Sequence, residues 1–331
     1  MSSVLRDKVQ DIINHSFDSD DEQLIIKLKQ LLRDVDETQY NQCTTVKSLS
    51  ELVASCIDVF RKLSPISVIN TGFEDFDEKF GGFCLGELAI IGGRPGMGKT
   101  SLISQLALNI SKEIPTLLFG FDTSEFILTN RFISLVSGIP IQRILQQKLS
   151  NEELASLIPI QNQLGSHKLF INDYHNRSID SFRMLCQKYI EEEGVKIIMI
   201  DYLQMMGLSK YNNRREVELR YIVRELKNIA KDFNVCVVVT SQLSRNVECR
   251  PGHKRPMLSD LSDSGSIEQV ADKVIFIYRP EYYKIMEWDD EVGTPTDGQA
   301  EFIIAKNKNG NIGSVGFDFL EADLDLKPMI F

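Results

Sequence analysis

One segment constrains this chain more than any other. An apolar run, Leu88–Ile91, leads into Gly93-Arg94-Pro95-Gly96-Met97-Gly98-Lys99-Thr100, and a helix-forming stretch opens at Ser101. The pattern G-x-x-x-x-G-K-[ST] between a strand and a helix is a phosphate-binding loop. Its glycines let backbone N–H groups curl around phosphate oxygens, and the helix N-terminus adds a favourable dipole. Lys99 is expected to reach the β- and γ-phosphates, and the Thr100 hydroxyl to ligate Mg²⁺. Residues Gly93 to Ser101 are therefore read as the ATP-binding segment.

Around this loop the apolar runs are short and bounded by turn residues: Leu117–Phe119, Leu169–Ile171, Ile197–Ile200, Val235–Val239, Val274–Ile277 and Phe302–Ile304. Most lack polar alternation, as strands buried on both faces of a parallel sheet do. Helical patterns separate several of them, for example Leu102, Ile103, Leu106, Ala107, Ile110, and the stretch from Val217 to Phe233. The expected fold is α/β, a mostly parallel sheet flanked by helices.

Two strand ends carry polar groups. Lys196-Ile197-Ile198-Met199-Ile200 runs into Asp201. An acid at the carboxyl end of a buried strand sits where ligands bind in open sheets, so Asp201 is read as the acid that holds Mg²⁺ with Thr100; a helix N-cap is the alternative. Val237–Val239 runs into Thr240-Ser241-Gln242. Gln242 can sense the γ-phosphate and report it to the basic segment that follows, although a capping Ser and a surface Gln give the same pattern.

Length and composition narrow the class. The chain has 331 residues, enough for one large domain and a small appendage, with ordinary hydrophobic (43%) and charged (25%) content. No apolar run approaches the ~18 residues of a membrane span, and the polar start lacks a secretory signal, so no membrane and a cytoplasmic setting are expected. Six cysteines and four histidines show no ligand spacing, leaving nucleotide-bound Mg²⁺ as the expected metal. The net charge of −10 argues against a surface that coats nucleic acid. Yet from Lys210 to Arg255 eleven Lys or Arg face five Asp or Glu, a local excess of +6 that fits either a basic channel or a solvated face.

Residues 1–64 read as a helical N-terminal segment, with helical spacing in Leu24 to Leu32 and again in Leu49, Leu52, Val53, Cys56, Val59 and Phe60, and a polar stretch from Asp34 to Thr45. Such helices cannot enclose a core alone. Ser64-Pro65 marks the expected boundary, with residues 65–331 forming the second unit.

The ordered strings Thr71-Gly-Phe-Glu-Asp-Phe-Asp, Gly81-Gly-Phe, Gly86-Glu-Leu, the phosphate loop, Asp201-Tyr-Leu-Gln204, Ser241-Gln-Leu-Ser-Arg245, Lys254-Arg-Pro-Met-Leu-Ser-Asp260, Ser264-Gly-Ser-Ile-Glu-Gln269 and Tyr278-Arg279 are similar to the motor domain of the DnaB replicative helicase family. The likeness runs from about Ser64 to Phe319. It implies a RecA-like core, a hexameric ring of identical subunits, ATP sites between neighbours, single-stranded DNA in the channel, and unwinding of forked duplex DNA. A loader protein is a further partner it allows. It places DNA contacts at Arg214, Arg215, Arg245, Arg250, Lys254, Arg255, Asp263 and Gly265.

Four departures from the family pattern bear on mechanism. Asp122 stands where a glutamate polarises the attacking water, and its carboxylate has about 1.5 Å less reach; Glu125 is a substitute. In Ala305-Lys306-Asn-Lys308-Asn-Gly310, Lys306 matches a residue projected into the neighbour's site, but Lys308 replaces an arginine finger and lacks its planar fork. Ser262-Asp263-Ser264-Gly265 lacks an arginine before the Ser-Gly, which leaves backbone amides near Gly265 to meet phosphate. Finally, no room is left for a globular N-terminal domain, and Val46 to Leu63 is expected to represent the linker helix. A second reading follows from these departures: an ATP-switched DNA-binding ring or loader with slow turnover. A strand-exchange filament is a third.

Overall fold

The computed structural model describes residues 48–61, 68–173, 178–207, 215–261, 264–290, 293–320 and 325–328. The expected helix around Leu24–Leu32, the polar stretch before Thr45, the boundary at Ser64-Pro65, and the candidate residues Arg214 and Asp263 lie outside the described residues. Ahead of the main unit stands helix α1 (Leu49–Arg61), opened by Ser48 and Glu51, each of which accepts the other's backbone N–H. Leu49, Leu52, Val53 and Ile57 are exposed on it.

The main unit starts with a small antiparallel pair, β1 (Val68–Ile69) and β2 (Phe83–Cys84), around α2 (Glu74–Phe80). Next come β3 (Leu88–Gly93), α3 (Lys99–Ser111), β4 (Thr116–Gly120), α4 (Glu125–Ser137), α5 (Ile141–Leu145), α6 (Asn151–Gly165), β5 (Leu169–Asn172), α7 (Ile179–Glu193) and β6 (Ile197–Asp201). The remainder is α8 (Arg215–Asp232), β7 (Cys236–Gln242), α9 (Asn246–Cys249), α10 (Ser264–Val270), β8 (Lys273–Tyr278), β9 (Gln299–Asn307), β10 (Gly313–Leu320) and β11 (Asp325–Pro328). All seven expected apolar runs are strands.

They assemble into a nine-stranded sheet in the order β11-β10-β9-β8-β3-β7-β6-β4-β5. From β8 to β5 every neighbouring pair is parallel, while β9, β10 and β11 pair antiparallel at one side. Alternate residues of each strand feed two separate cores. Ala89, Ile91, Leu118, Met199 and Val238 pack with Leu102, Ile103 and Leu106 of α3. Leu88, Ile90, Phe119, Ile200 and Val239 pack with Phe182 of α7 and with Leu219, Ile222, Val223, Leu226 and Ile229 of α8. The α8 residues recur at three- and four-residue spacing, so one stripe of the helix meets the sheet. These strands are buried on both faces, which explains their lack of polar alternation.

This order sets up the site. β7 lies between β3 and β6, with Gly93 opposite Gln242 and Ile200 opposite Val239. The loop after β3, the end of β7 and the end of β6 therefore share one edge of the sheet, the edge where open α/β sheets bind ligands.

Candidate functional site

The phosphate loop turns on glycines that no larger residue replaces without cost. Gly98, at φ +97°, caps the start of α3, and a Cβ there would lie 3.1 Å from the Phe319 ring. At Gly96, φ +81°, a Cβ would lie 3.0 Å from the Tyr282 ring. The loop opens on a cavity of about 340 Å³ lined by Gly96, Gly98, Lys99, Thr100, Ser101, Arg131, Arg279 and Phe319.

Inside it, Lys99 Nζ donates to the carbonyls of Gly93 at 2.9 Å and Arg94 at 3.0 Å. Burial pushes this ammonium down to about 8 against the pull of Asp201, and Arg94 lowers it further. The Thr100 hydroxyl donates to Asp201 Oδ2 at 2.7 Å, and Thr240 on the intervening strand donates to Asp201 Oδ1. A hydroxyl and a buried carboxylate set at this distance are hard oxygen donors suited to Mg²⁺, which keeps most of its shell as water and phosphate. Among the described residues no group of three or more His, Cys, Asp or Glu forms another candidate metal site.

Several expected residues fall around this cavity. Gln242 ends β7 beside Gly93, and its backbone N–H donates to Gln204 Oε1 at 3.1 Å; Gln204 Nε2 in turn donates to Ser241 Oγ at 2.9 Å. Asp122 and Glu125 are exposed on the turn from β4 into α4, two and five residues beyond Gly120, the partner of Asp201. Met97 is buried beneath the loop, and Pro95 is exposed on it. Arg94 contributes its carbonyl, but its buried guanidinium turns away to Glu248 Oε1 at 2.7 Å and the Leu243 carbonyl at 2.8 Å.

Lys306 and Lys308 stand apart from the cavity of their own chain. Lys306 Nζ donates to the Glu268 carbonyl at 2.6 Å, and exposed Lys308 lies 3.4 Å from Asp272 Oδ1. Asp272 precedes Lys273, the partner of Ala89 near the start of β3. The phosphate loop leaves the other end of that strand, about 13 Å further along at ~3.3 Å per residue.

The basic segment is more internally committed than its charge suggests. Arg215 donates to the carbonyls of Gln204 at 2.7 Å and Met206 at 2.9 Å, and pairs with Glu218. Arg250 pairs with Asp260 at 2.7 Å, Lys254 donates to the Glu248 carbonyl at 2.9 Å, and Arg255 pairs with Glu301 beneath the Tyr278 and Trp288 rings. Arg245 and Gly265 are exposed.

Two arginines escape a reading of the sequence alone. Arg131 of α4 lines the cavity, and its buried Nε has no hydrogen-bond partner among the described residues. Burial works against its charge, while Asp201 offsets that cost. A buried unpartnered guanidinium N–H beside Lys99 fits an anion. The one signal for it in the sequence is a cation on the helix after Asp122. Arg279 is legible as part of Tyr278-Arg279 but without a role. It donates to the Gly96 carbonyl at 3.3 Å and lies 4.3 Å over the Phe319 ring at the cavity mouth.

A parallel core with a glycine-turned phosphate loop, a hydroxyl–carboxylate pair across an inserted strand, and buried cations converging on the gap defines a RecA-like P-loop nucleotide-binding domain. Residues 68–325 match the DnaB-like helicase C terminal domain, and the chain belongs to that family. It is 37% identical over 308 residues to the probable replicative DNA helicase of Trieres chinensis, covering 89% of this chain and 66% of the relative. It is 38% identical over 292 residues to the replicative DNA helicase DnaB of Rickettsia prowazekii, covering 81% of this chain and 60% of the relative. The chain thus spans about three fifths to two thirds of the length of these curated relatives. Among solved structures, an isolated ATPase domain superposes with a TM-score of 0.76 at 28% identity, over 86% of this chain and all of that one. A DnaB-like replicative helicase studied for its interactions with primase gives 0.73 at 27% identity, over 98% of this chain and 75% of that one.

Proposed function

We propose that this chain is the motor of an ATP-driven DNA helicase. It would act as a ring of identical subunits, a hexamer by resemblance, that moves along single-stranded DNA and opens forked duplex. The observation that carries the reading is the separation of two half-sites on one chain. Lys99, Thr100, Asp201 and Arg131 gather at one end of β3, whereas Lys306 and Lys308 project from the other end of the sheet. A pair of cations that distant cannot serve its own phosphates, and it supports completion of a neighbouring copy's site. Repeating a head-to-tail contact of this kind closes a ring when the rotation allows it.

In this reading Lys99 and Arg131 hold the β- and γ-phosphates, and Thr100 and Asp201 hold Mg²⁺, which neutralises charge as the γ-phosphoryl leaves. Asp122 orients the attacking water. Gln242 reports the γ-phosphate to the segments around Gln204 and Arg245. The Arg279–Phe319 pair offers a flat surface for the base. Arg245 and the amides near Gly265 supply contacts to the DNA backbone, which carries no sequence information and so suits a translocating motor. Arg250, Lys254 and Arg255 chiefly brace the segment that presents them. A cytoplasmic setting belongs to the same reading, and no helix among the described residues is long and apolar enough to cross a membrane.

ATP hydrolysis with and without oligo-dT tests this, alongside particle mass in solution. DNA-stimulated turnover by a hexamer-sized particle is expected; a monomer whose turnover ignores DNA contradicts it. Two further outcomes follow. Asp122→Glu restores the missing methylene and is expected to raise turnover about tenfold, within the ~10² that a 1 Å misplacement costs. An unchanged or lower rate shows that Asp122 already positions the water. Nucleotide phosphate should also return to Lys99 the counter-charge that burial denies it. Binding then takes up a proton above about pH 8, and affinity falls as pH rises through that value, because the free protein has lost the proton that the complex keeps. Calorimetry in buffers of different ionisation enthalpy measures the uptake; none at about pH 9 contradicts it.

A further inference from the structure

Arg94 is the second residue of the phosphate loop, yet its side chain serves a different element. Its Nε lies 2.7 Å from Glu248 Oε1, and its Nη1 donates to the Leu243 carbonyl at 2.8 Å, with the guanidinium buried. Glu248 sits in α9, three residues after Arg245. The segment that follows is braced on itself. Lys254 Nζ donates to the Glu248 carbonyl at 2.9 Å, Arg250 Nη2 meets Asp260 Oδ1 at 2.7 Å, and Arg250 Nη1 donates to the Arg255 carbonyl at 2.7 Å. A shift at Glu248 therefore carries the whole stretch to Asp260 with it.

The other end of this connection is Lys99. Its ammonium donates to the carbonyls of Gly93 and Arg94, at 2.9 and 3.0 Å. Phosphate competes for the same three N–H donors, and a charged acceptor outcompetes neutral carbonyls. When phosphate draws Lys99 away, the peptide that loses its partner belongs to the residue that grips α9. Gln242 offers a separate connection, through its backbone N–H to Gln204 on the far side of β7.

We propose that Arg94 and Glu248 couple phosphate occupancy of the loop to the position of the basic segment at Arg245–Asp260, and so to its grip on DNA. Both act as positioning residues, with the Glu248 carboxylate spent on Arg94 rather than on nucleotide or DNA. The inference rests on the proposed DNA-binding role of that segment. Coupling between two sites is reciprocal, so the pair sets both how strongly nucleotide changes DNA affinity and how strongly DNA changes nucleotide affinity.

The test is Glu248→Gln in the full chain. The variant keeps the size and a hydrogen-bond acceptor and removes the charge. Oligo-dT affinity is measured without nucleotide and with a non-hydrolysable ATP analogue, and basal hydrolysis is measured without DNA. The nucleotide-dependent change in DNA affinity is expected to shrink about fivefold or more, the low end of measured couplings. Basal hydrolysis should stay close to wild type, and Glu248→Asp, which keeps the charge, should recover part of the response. A variant whose DNA affinity responds to nucleotide as wild type does overturns the proposal. So does one whose basal and DNA-stimulated rates fall together with their ratio intact, because the pair then only holds the loop's shape. If wild type itself shows no nucleotide-dependent DNA binding, the helicase reading has failed, which the wild-type control reveals separately.

Discussion

Lys99→Ala is expected to lower ATP turnover by about 10²–10³-fold, the loss seen when one preorganised donor to developing charge is removed. The fold should survive. Lys99 holds only two loop carbonyls, and water can replace those bonds once the side chain is gone. The ammonium is also a buried charge, so its removal relieves a desolvation cost that its hydrogen bonds only partly offset. Melting temperature without nucleotide should therefore change little. The rise produced by saturating nucleotide should vanish, since stabilisation by a ligand depends on its affinity for the folded state. Unfolding of the variant without nucleotide would assign Lys99 a structural role instead.

The second large effect is at the opposite edge of the sheet. Lys308→Ala is expected to slow hydrolysis by about 10²-fold, less than the 10³–10⁵ attributed to arginine fingers because lysine lacks the bidentate fork. Its tie to Asp272 is long and exposed, so the folded state loses little with it. The sharper test is complementation. A Lys99→Ala subunit keeps its finger, and a Lys308→Ala subunit keeps its phosphate loop. If Lys308 acts on the neighbour's ATP, mixing the two inactive variants at equal amounts should restore activity at about one quarter of the interfaces in randomly mixed rings. No recovery on mixing, with subunit exchange verified, would place Lys308 outside the neighbour's site. Lys308→Arg should raise turnover above wild type on the same reasoning.

How legible all this is depends on whether the physics is local. The seven central strands can be read because burial on both faces forces continuous apolar runs. The phosphate loop can be read because backbone geometry demands glycine at fixed spacing. β10 is an edge element with a different period: Val315, Phe317 and Phe319 are buried and alternate with more exposed Gly316 and Asp318. A search for unbroken apolar runs passes over that alternation. Side-chain destinations are the least legible. The motif places the backbone of Arg94 but says nothing of Glu248, 154 residues away, which decides where its guanidinium points. The charge count from Lys210 to Arg255 suggests a cationic surface, yet Arg250, Lys254 and Arg255 are held by Asp260, the Glu248 carbonyl and Glu301. Arg131 carries no motif of its own, and only the fold brings its buried N–H to the cavity that holds Lys99.

The central claim is that these half-sites, joined around a ring, turn ATP hydrolysis into movement along one DNA strand. Unwinding of a forked duplex with ATP, with Lys99→Ala as the control, tests it most directly. Strand separation that requires ATP and Lys99, accompanied by DNA-stimulated turnover, is the predicted result. Tight nucleotide and DNA binding with neither unwinding nor stimulated turnover would contradict the motor, and would leave a nucleotide-switched DNA clamp built on the same frame.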